Sequence, residues 1–211
     1  MHDYGSSWAE AYELTVQRDD WLYKDYASIL REIADLVIEN TSVDSIIVEL
    51  GLGTANLTAL ILEKRNVIGV EASGEMARIA RRRCPGLRGI GAALRSLPFR
   101  TGTVDAIVSA YAWHCLCHED RLDSIGEMRR VLRSGGQVFV ADLMFRDSRS
   151  ERSMRDQLEQ AGEKAKLALL DDESEEYPLL SDLRVEFGRF GFVFSGKQRN
   201  ELVWLFRAKL P

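Results

Sequence analysis

The chain has 211 residues, 45% of them hydrophobic, with 28 Lys and Arg against 33 Asp and Glu for a net charge of −5. That is enough chain to bury one sizeable core without metal or disulfide staples, and two independent domains would be cramped. The acidic balance argues against a general electrostatic grip on nucleic acid, and no apolar run approaches the ~20 residues of a membrane span. Cys84, Cys115 and Cys117 are odd in number and two stand only two apart, so no disulfide framework is indicated and a reducing, cytoplasmic setting fits. The N-terminus, Met1-His2-Asp3-Tyr4-Gly5, lacks the basic and apolar parts of a signal peptide.

Residues 7 to 40 carry helical spacing, with Trp8, Tyr12 and Val16 on one stripe and Ile29, Leu30, Ile33, Leu36 and Val37 on another. Two helices are expected, broken near Arg18-Asp19-Asp20, with the second packed on a sheet. The first is rich in aromatics. Tyr4, Trp8 and Tyr12 either dock it by ordinary burial or line a ligand pocket, and the residues leave both open. The stretch 1–40 is read as a helical cover over one domain spanning 1–211.

Ile46-Ile47-Val48-Glu49-Leu50 reads as a buried strand, Gly51-Leu52-Gly53 as a tight turn, and Asn56 to Lys64 as a helix. Gly51 and Gly53 allow backbone conformations and close approach that a Cβ would block, and the helix start offers unpaired N–H groups to a polar ligand. A second strand, Asn66 to Glu71, ends on a carboxylate twenty positions after Gly51. An acid there is placed to accept from both hydroxyls of a ribose. Gly74 to Arg83 is a helix ended by Pro85-Gly86, and its Arg78, Arg81, Arg82, Arg83 cluster reads as a solvated face favourably near a helix C-terminus.

Leu87 to Gly91 is a short third strand and Val104 to Ser109 a fourth, running into Ala110-Tyr111-Ala112-Trp113-His114. Glu119 to Leu132 is a helix, Ser134-Gly135-Gly136 a turn, and Gln137 to Ala141 a fifth strand with Asp142 at its carboxyl end. Ser148 to Leu170 reads as one polar helix, Asp171 to Glu176 as a solvated acidic loop, and Ser181 to Phe190 as a last helix. Phe192-Val193-Phe194 and Leu202 to Phe206 suggest two closing strands, the second antiparallel. The alternation of strand and helix calls for an α/β, Rossmann-like sheet of seven mostly parallel strands with helices on both faces. Ligands of such sheets bind beyond the carboxyl ends of the strands, so Glu49, Glu71, Ser109 to His114 and Asp142 are expected to converge on one crevice.

These motifs resemble the class I S-adenosylmethionine-dependent methyltransferases over nearly the whole chain. Val48-Glu49-Leu50-Gly51-Leu52-Gly53-Thr54 is similar to their glycine-rich first motif and Val70-Glu71-Ala72-Ser73-Gly74-Glu75-Met76 to the acidic second. Leu97-Pro98-Phe99, Asp105-Ala106-Ile107-Val108-Ser109 and Val131-Leu132-Arg133-Ser134-Gly135-Gly136 match later signatures. Ala55-Asn56-Leu57-Thr58, Tyr111-Ala112-Trp113-His114 and Val203-Trp204-Leu205 resemble small bacterial methyltransferases of the YrrT type. The resemblance implies S-adenosylmethionine as cofactor, with Glu49, Gly51, Gly53 and Asn56 at its methionine portion and ribose. Glu71 would hold the ribose hydroxyls, Ala72, Met76, Ala93 and Leu94 would flank the adenine, and Ser109 and Ala110 would complete the site. Many relatives carry a Gly-Asp pair whose Asp reads the adenine amino group; Ala92 and Ala93 stand there instead, so side-chain readout is lost.

Methyl transfer from a sulfonium needs positioning and exclusion of water, with a base only where the nucleophile must lose a proton. His114 is the first candidate base, because its ordinary pKa lies near neutrality. The alternative for it is a structural imidazole. Asp142 is the candidate substrate-orienting carboxylate, and Tyr4, Trp8, Tyr12, Tyr111 and Trp113 the candidate acceptor-binding aromatics. The acceptor is expected to be a small molecule attacking through O, S or N, the protein a monomer or homodimer with neither nucleic acid nor membrane as partner. His114-Cys115-Leu116-Cys117-His118 lacks the two separated ligand pairs of a usual zinc site, so no metal is expected. Two further classes remain. A nicotinamide-dependent oxidoreductase would share Gly51-Leu52-Gly53 and Glu71, although position 56, where that fingerprint wants a third glycine, holds Asn56. A cofactor-binding protein without catalysis is the other.

Overall fold

The computed structural model describes residues 6–18 and 20–211, without the side chains of Ser6, Ser7, Trp8 and Glu10. The chain starts with two helices, α1 (Ser6–Val16) and α2 (Tyr26–Glu39). β1 (Ile47–Leu50), α3 (Asn56–Leu62), β2 (Val67–Val70), α4 (Gly74–Arg83) and β3 (Arg88–Ile90) form the first half of the sheet and its helices. β4 (Val104–Ala110), α5 (His118–Val131) and β5 (Leu132–Leu143) follow. The remainder is α6 (Ser148–Gln160), α7 (Lys164–Leu170), α8 (Leu180–Arg189), β6 (Val193–Gln198) and β7 (Val203–Lys209).

The seven strands run in the order β3-β2-β1-β4-β5-β7-β6. β1 pairs in parallel with β2 on one side and with β4 on the other. The chain therefore works outward from β1 to β3 and returns to restart at β4, which opens a crevice beyond the ends of β1 and β4. β7 lies between β5 and β6, antiparallel to both. A short turn causes this: Asn200 Oδ1 accepts from Val203 N at 2.8 Å, and a connection of that length can only reverse the chain.

Each central strand is buried on both faces, which explains its continuous apolar run. Ile47, Ala106, Val108, Phe139 and Ala141 face one core with Ile29, Ile33 and Val37 of α2 and Leu57 and Ile61 of α3. Val48, Leu50, Ile107, Val138 and Val140 face the other, with Ile125 and Met128 of α5 and Leu183 and Phe187 of α8. Period two in the strands assigns successive residues to opposite layers. α2 is thus a core helix on the sheet. Of the expected cover over 1–40, the residues standing at the crevice are Tyr12 of α1 and Tyr26 and Leu30 from the first turns of α2.

Three sequence expectations change. The polar helix expected over 148–170 is broken into α6 and α7 at Gly162, whose φ of +71° lies in the left-handed region that ends helices. β5 begins at Leu132, before Gly135 (φ +74°) and Gly136, and its pairing with β4 shifts register between Val104 and Ala106. The arginine cluster of α4 is not wholly a solvated face. Arg83 pairs with Glu13 of α1 at 2.5 Å and donates to Asn56 of α3, fastening α1 to the start of α3.

Candidate active site

A cleft of about 670 Å³ lies beyond the carboxyl ends of β1, β2 and β4, within the range of small-ligand pockets. Its floor is the turn after β1. Gly51 has φ +72°, and a Cβ there would lie 2.4 Å from the Ala112 Cβ, so the turn packs directly on the segment after β4. Gly53 has φ +54° with open space where its Cβ would point. Gly51→Ala is therefore expected to cost more than Gly53→Ala. The second carries only a left-handed penalty of about 1–2 kcal/mol, the first that penalty plus a backbone shift, and thermal melts of the two variants compare them.

Two carboxylates define the donor end. Glu71 accepts from Gly53 N at 2.8 Å and Ser73 N at 2.7 Å, so it ties the glycine turn to the start of α4. Burial raises its pKa, against the pull of those N–H groups. Glu49 is buried and hydrogen-bonded by the Thr58 hydroxyl. Burial pushes its carboxyl up to about 8, with the Glu71 charge adding to the rise and the Thr58 bond opposing it. In the free protein at neutral pH Glu49 is thus mostly protonated. A carboxyl raised on folding contributes stability below its unfolded pKa and loses it as pH rises through the folded value. Glu49→Gln is expected to gain stability relative to the wild type as pH rises from the ordinary carboxylate range to about 8 and to hold that gain above it, as read by melting temperatures across pH.

The adenine-facing candidates Ala72, Met76, Ala93 and Leu94 line the cleft, as does Ala110. Asn56 lines it too, but its amide is engaged with Glu13 Oε1 at 3.1 Å and Tyr26 Oη at 3.2 Å. Glu13 is held below its usual pKa: burial works the other way and is outweighed by Arg83 and Thr54. Tyr12 and Tyr111 line the cleft with Tyr26, the rings of Tyr26 and Tyr111 4.9 Å apart. Tyr111 has φ +51°, a rare conformation for an aromatic residue, and its buried hydroxyl has no hydrogen-bond partner among the described residues.

Four expected site residues lie elsewhere. Ser109 is fully buried in the sheet, its hydroxyl spent on the Leu50 carbonyl at 2.7 Å. Trp113 is fully buried on the α5–α8 side, stacked 5.8 Å from Phe187 and edge-on to Phe206. Trp113 lies past the end of β4, where the chain turns at Tyr111 (φ +51°), and beyond that turn its ring joins the core layer opposite the one Tyr111 faces. Asp142 does not face the cleft, for its carboxylate accepts from Ala112 N (2.8 Å), Trp113 N (2.7 Å), Leu143 N (2.7 Å) and His114 Nδ1 (2.5 Å). His114 is 2% exposed. Burial disfavours its charge, yet the Asp142 carboxylate beside it and their hydrogen bond raise its pKa well above the ordinary value. His114 does not line the cleft, and its Nδ1 bond to Asp142 ties the segment after β4 to the end of β5. Tyr4 and the Trp8 side chain lie outside the described residues.

The sequence reading missed the acidic segment. Glu173 to Glu176 line the cleft, Glu173 and Glu176 exposed and Ser174 and Glu175 half-buried. Glu176 N donates to the His114 carbonyl at 2.7 Å, and the buried Arg121 of α5 donates to the Glu176 carbonyl at 2.9 Å and pairs with its carboxylate. Arg121 carries a weak signal, an arginine on the otherwise apolar stripe of α5. Cys115 and Cys117 are exposed at the same wall, and no group of three metal-ligating side chains occurs among the described residues.

S-adenosylmethionine fits these residues. The open space at Gly53 gives a cradle, two carboxyl groups suit hydroxyls and an ammonium, and the lining's one guanidinium, Arg95, is paired with Asp120 at 2.7 Å. A pyrophosphate would find little to hold it. This strand order, with a carboxylate at the end of β1 and another after β2, defines the class I nucleoside-dependent methyltransferases.

The comparisons are specific. A family model described as a methyltransferase domain matches residues 47–136. An uncharacterized methyltransferase of Oceanobacillus iheyensis is 34% identical over 209 residues, covering 98% of this chain and 96% of its own. The uncharacterized methyltransferase YrrT of Halobacillus halophilus is 34% identical over 213 residues, with the same coverage. A S-adenosylmethionine-dependent methyltransferase structure from Methanosarcina mazei shares the fold at a TM-score of 0.64 and 16% identity, over 83% of this chain and 96% of that one. The chain belongs to the S-adenosylmethionine-dependent methyltransferases, in the group of small bacterial enzymes to which YrrT belongs. It is an enzyme, and S-adenosylmethionine is its methyl donor. The nicotinamide-dependent and non-catalytic readings give way to this one.

Proposed function

We propose that the enzyme methylates a small-molecule acceptor within the cleft, as a single domain working in the cytoplasm as a monomer or homodimer. The cleft of about 670 Å³, lined by Tyr12, Tyr26, Tyr111 and the 173–176 segment, carries this reading. A donor and a compact acceptor fill such a space, and a folded macromolecule could not reach its floor. No described helix is long and apolar enough to cross a membrane.

In this reading Glu71 accepts from the ribose hydroxyls, and Glu49 with the turn Gly51 to Gly53 receives the methionine end. Met76 and Leu94 cover the adenine, with Ala92 and Ala93 leaving its amino group to backbone atoms. The bound donor supplies a sulfonium methyl whose leaving group is a neutral thioether. The chain's own work is positioning: Asp142 and His114 hold the segment after β4, which fixes Tyr111 over the cleft, and the acidic segment closes the outer side against water. Calorimetric titration with S-adenosylhomocysteine and NADH, followed by a panel of thiols, phenols, amines and carboxylates analysed by mass spectrometry, tests the proposal. Binding of the nucleoside thioether alone and a methylated small product are expected.

A further inference from the structure

This inference rests on the methyl-transfer reading and names the acceptor's chemical class. Besides Glu49, Glu71 and Glu75, four carboxylates line the cleft: Asp120, Glu173, Glu175 and Glu176. Two are neutralised within the protein, Asp120 by Arg95 and Glu176 by Arg121. Glu175 accepts from Tyr177 Oη at 2.5 Å and faces His114 Nε2 at 3.8 Å. The imidazolium is already matched by Asp142 at 2.5 Å, so that pair is neutral together and the Glu175 charge is left for the cleft. Glu173 stands exposed at the rim, adding to the negative potential.

The second observation is Tyr111. It is 6% exposed, it lines the cleft, and its hydroxyl has no hydrogen-bond partner among the described residues. A buried polar atom left so is costly, and a ligand in the cleft can supply the missing hydrogen bond. Tyr111 is packed with Tyr26 (rings 4.9 Å apart) and Tyr23 (5.7 Å), and Tyr12, Tyr26, Tyr111 and Glu175 line the same cleft. Phenol faces attract cations, and anions are repelled by both elements.

We propose that the acceptor is a small protonated amine, seated against Tyr12, Tyr26 and Tyr111 with its nitrogen toward Glu175. The ammonium passes one proton to the Glu175 carboxylate. Its freed lone pair forms the new N–C bond as the sulfonium C–S bond breaks, and that bond's electron pair stays on sulfur. A thioether and an N-methylated ammonium result, and Glu175 returns its proton to solvent.

The test is equilibrium binding to the enzyme saturated with S-adenosylhomocysteine, using benzylamine, benzyl alcohol and benzoate as probes of one shape and three charges. Benzylamine is expected to bind at least ~10-fold tighter than the other two, and Glu175→Gln to remove roughly that factor while leaving benzyl alcohol unchanged. Tyr111→Phe is expected to weaken benzylamine by a smaller factor. Unaltered S-adenosylhomocysteine affinity in both variants verifies that they are folded. No preference among the probes, no binding by any of them, or a preference that survives Glu175→Gln overturns the amine assignment. If S-adenosylhomocysteine itself fails to bind the wild type, the donor-site reading falls and the amine assignment with it.

Discussion

Asp142→Ala is expected to lower the melting temperature more than any other single change at the site, although Asp142 does not line the cleft. The carboxylate is fully buried and accepts three backbone N–H groups besides the His114 ring. Removing it strands those donors and an imidazolium in the interior. Breaking a buried pair in this way costs about 3–5 kcal/mol, which for a chain of this length is roughly 6–20 °C in Tm. The His114 side of the pair adds a pH signature. Its pKa is raised on folding, so its contribution is fully present below an unfolded value of about 6.5 and is lost as pH rises through the raised folded value. Melts of wild type and His114→Gln across pH should show a gap that is constant on the acid side and narrows as pH rises. A gap that widened with pH would mean that His114 is neutral and that the clamp is not an ion pair.

Glu71→Ala is expected to weaken S-adenosylhomocysteine binding by roughly 10- to 100-fold, the range for hydrogen bonds to a charged group. Two effects combine there. The ribose hydroxyls lose their acceptor, and the glycine turn loses the bond from Gly53 N that holds it. Glu71→Gln separates them, since an amide oxygen keeps one backbone bond while the negative charge is gone. If titration calorimetry gives unchanged affinity for both variants in folded protein, Glu71 does not meet the ribose.

The fold was legible because its strands are short, β-branched and punctuated. The helix expected over Gly74 to Arg83 is observed with those bounds, set by Ser73 as N-cap and by Pro85-Gly86 beyond its end. The donor end was legible for a related reason: Gly51, Gly53 and Glu71 lie close in sequence, and their spacing carries the geometry. The acceptor end was not. Glu173 to Glu176 have the composition of a solvated loop, and what draws them inward is a buried Arg121 some fifty residues earlier, a pairing that no local pattern announces. Trp113 and His114 misled in the opposite way. Their chemistry invites a functional role, but the indole is packed into the opposite core beyond the end of β4, and the imidazole is held by its hydrogen bond to Asp142.

The most direct measurement is a crystal structure of the enzyme with S-adenosylhomocysteine. Both ribose hydroxyls are expected within hydrogen-bonding distance of the Glu71 carboxylate, with the amino group of the amino-acid portion toward Glu49 and the thioether sulfur open toward Tyr111 and Glu175. A nucleoside seated elsewhere, or one whose sulfur faces away from the tyrosines and the 173–176 segment, would contradict the account.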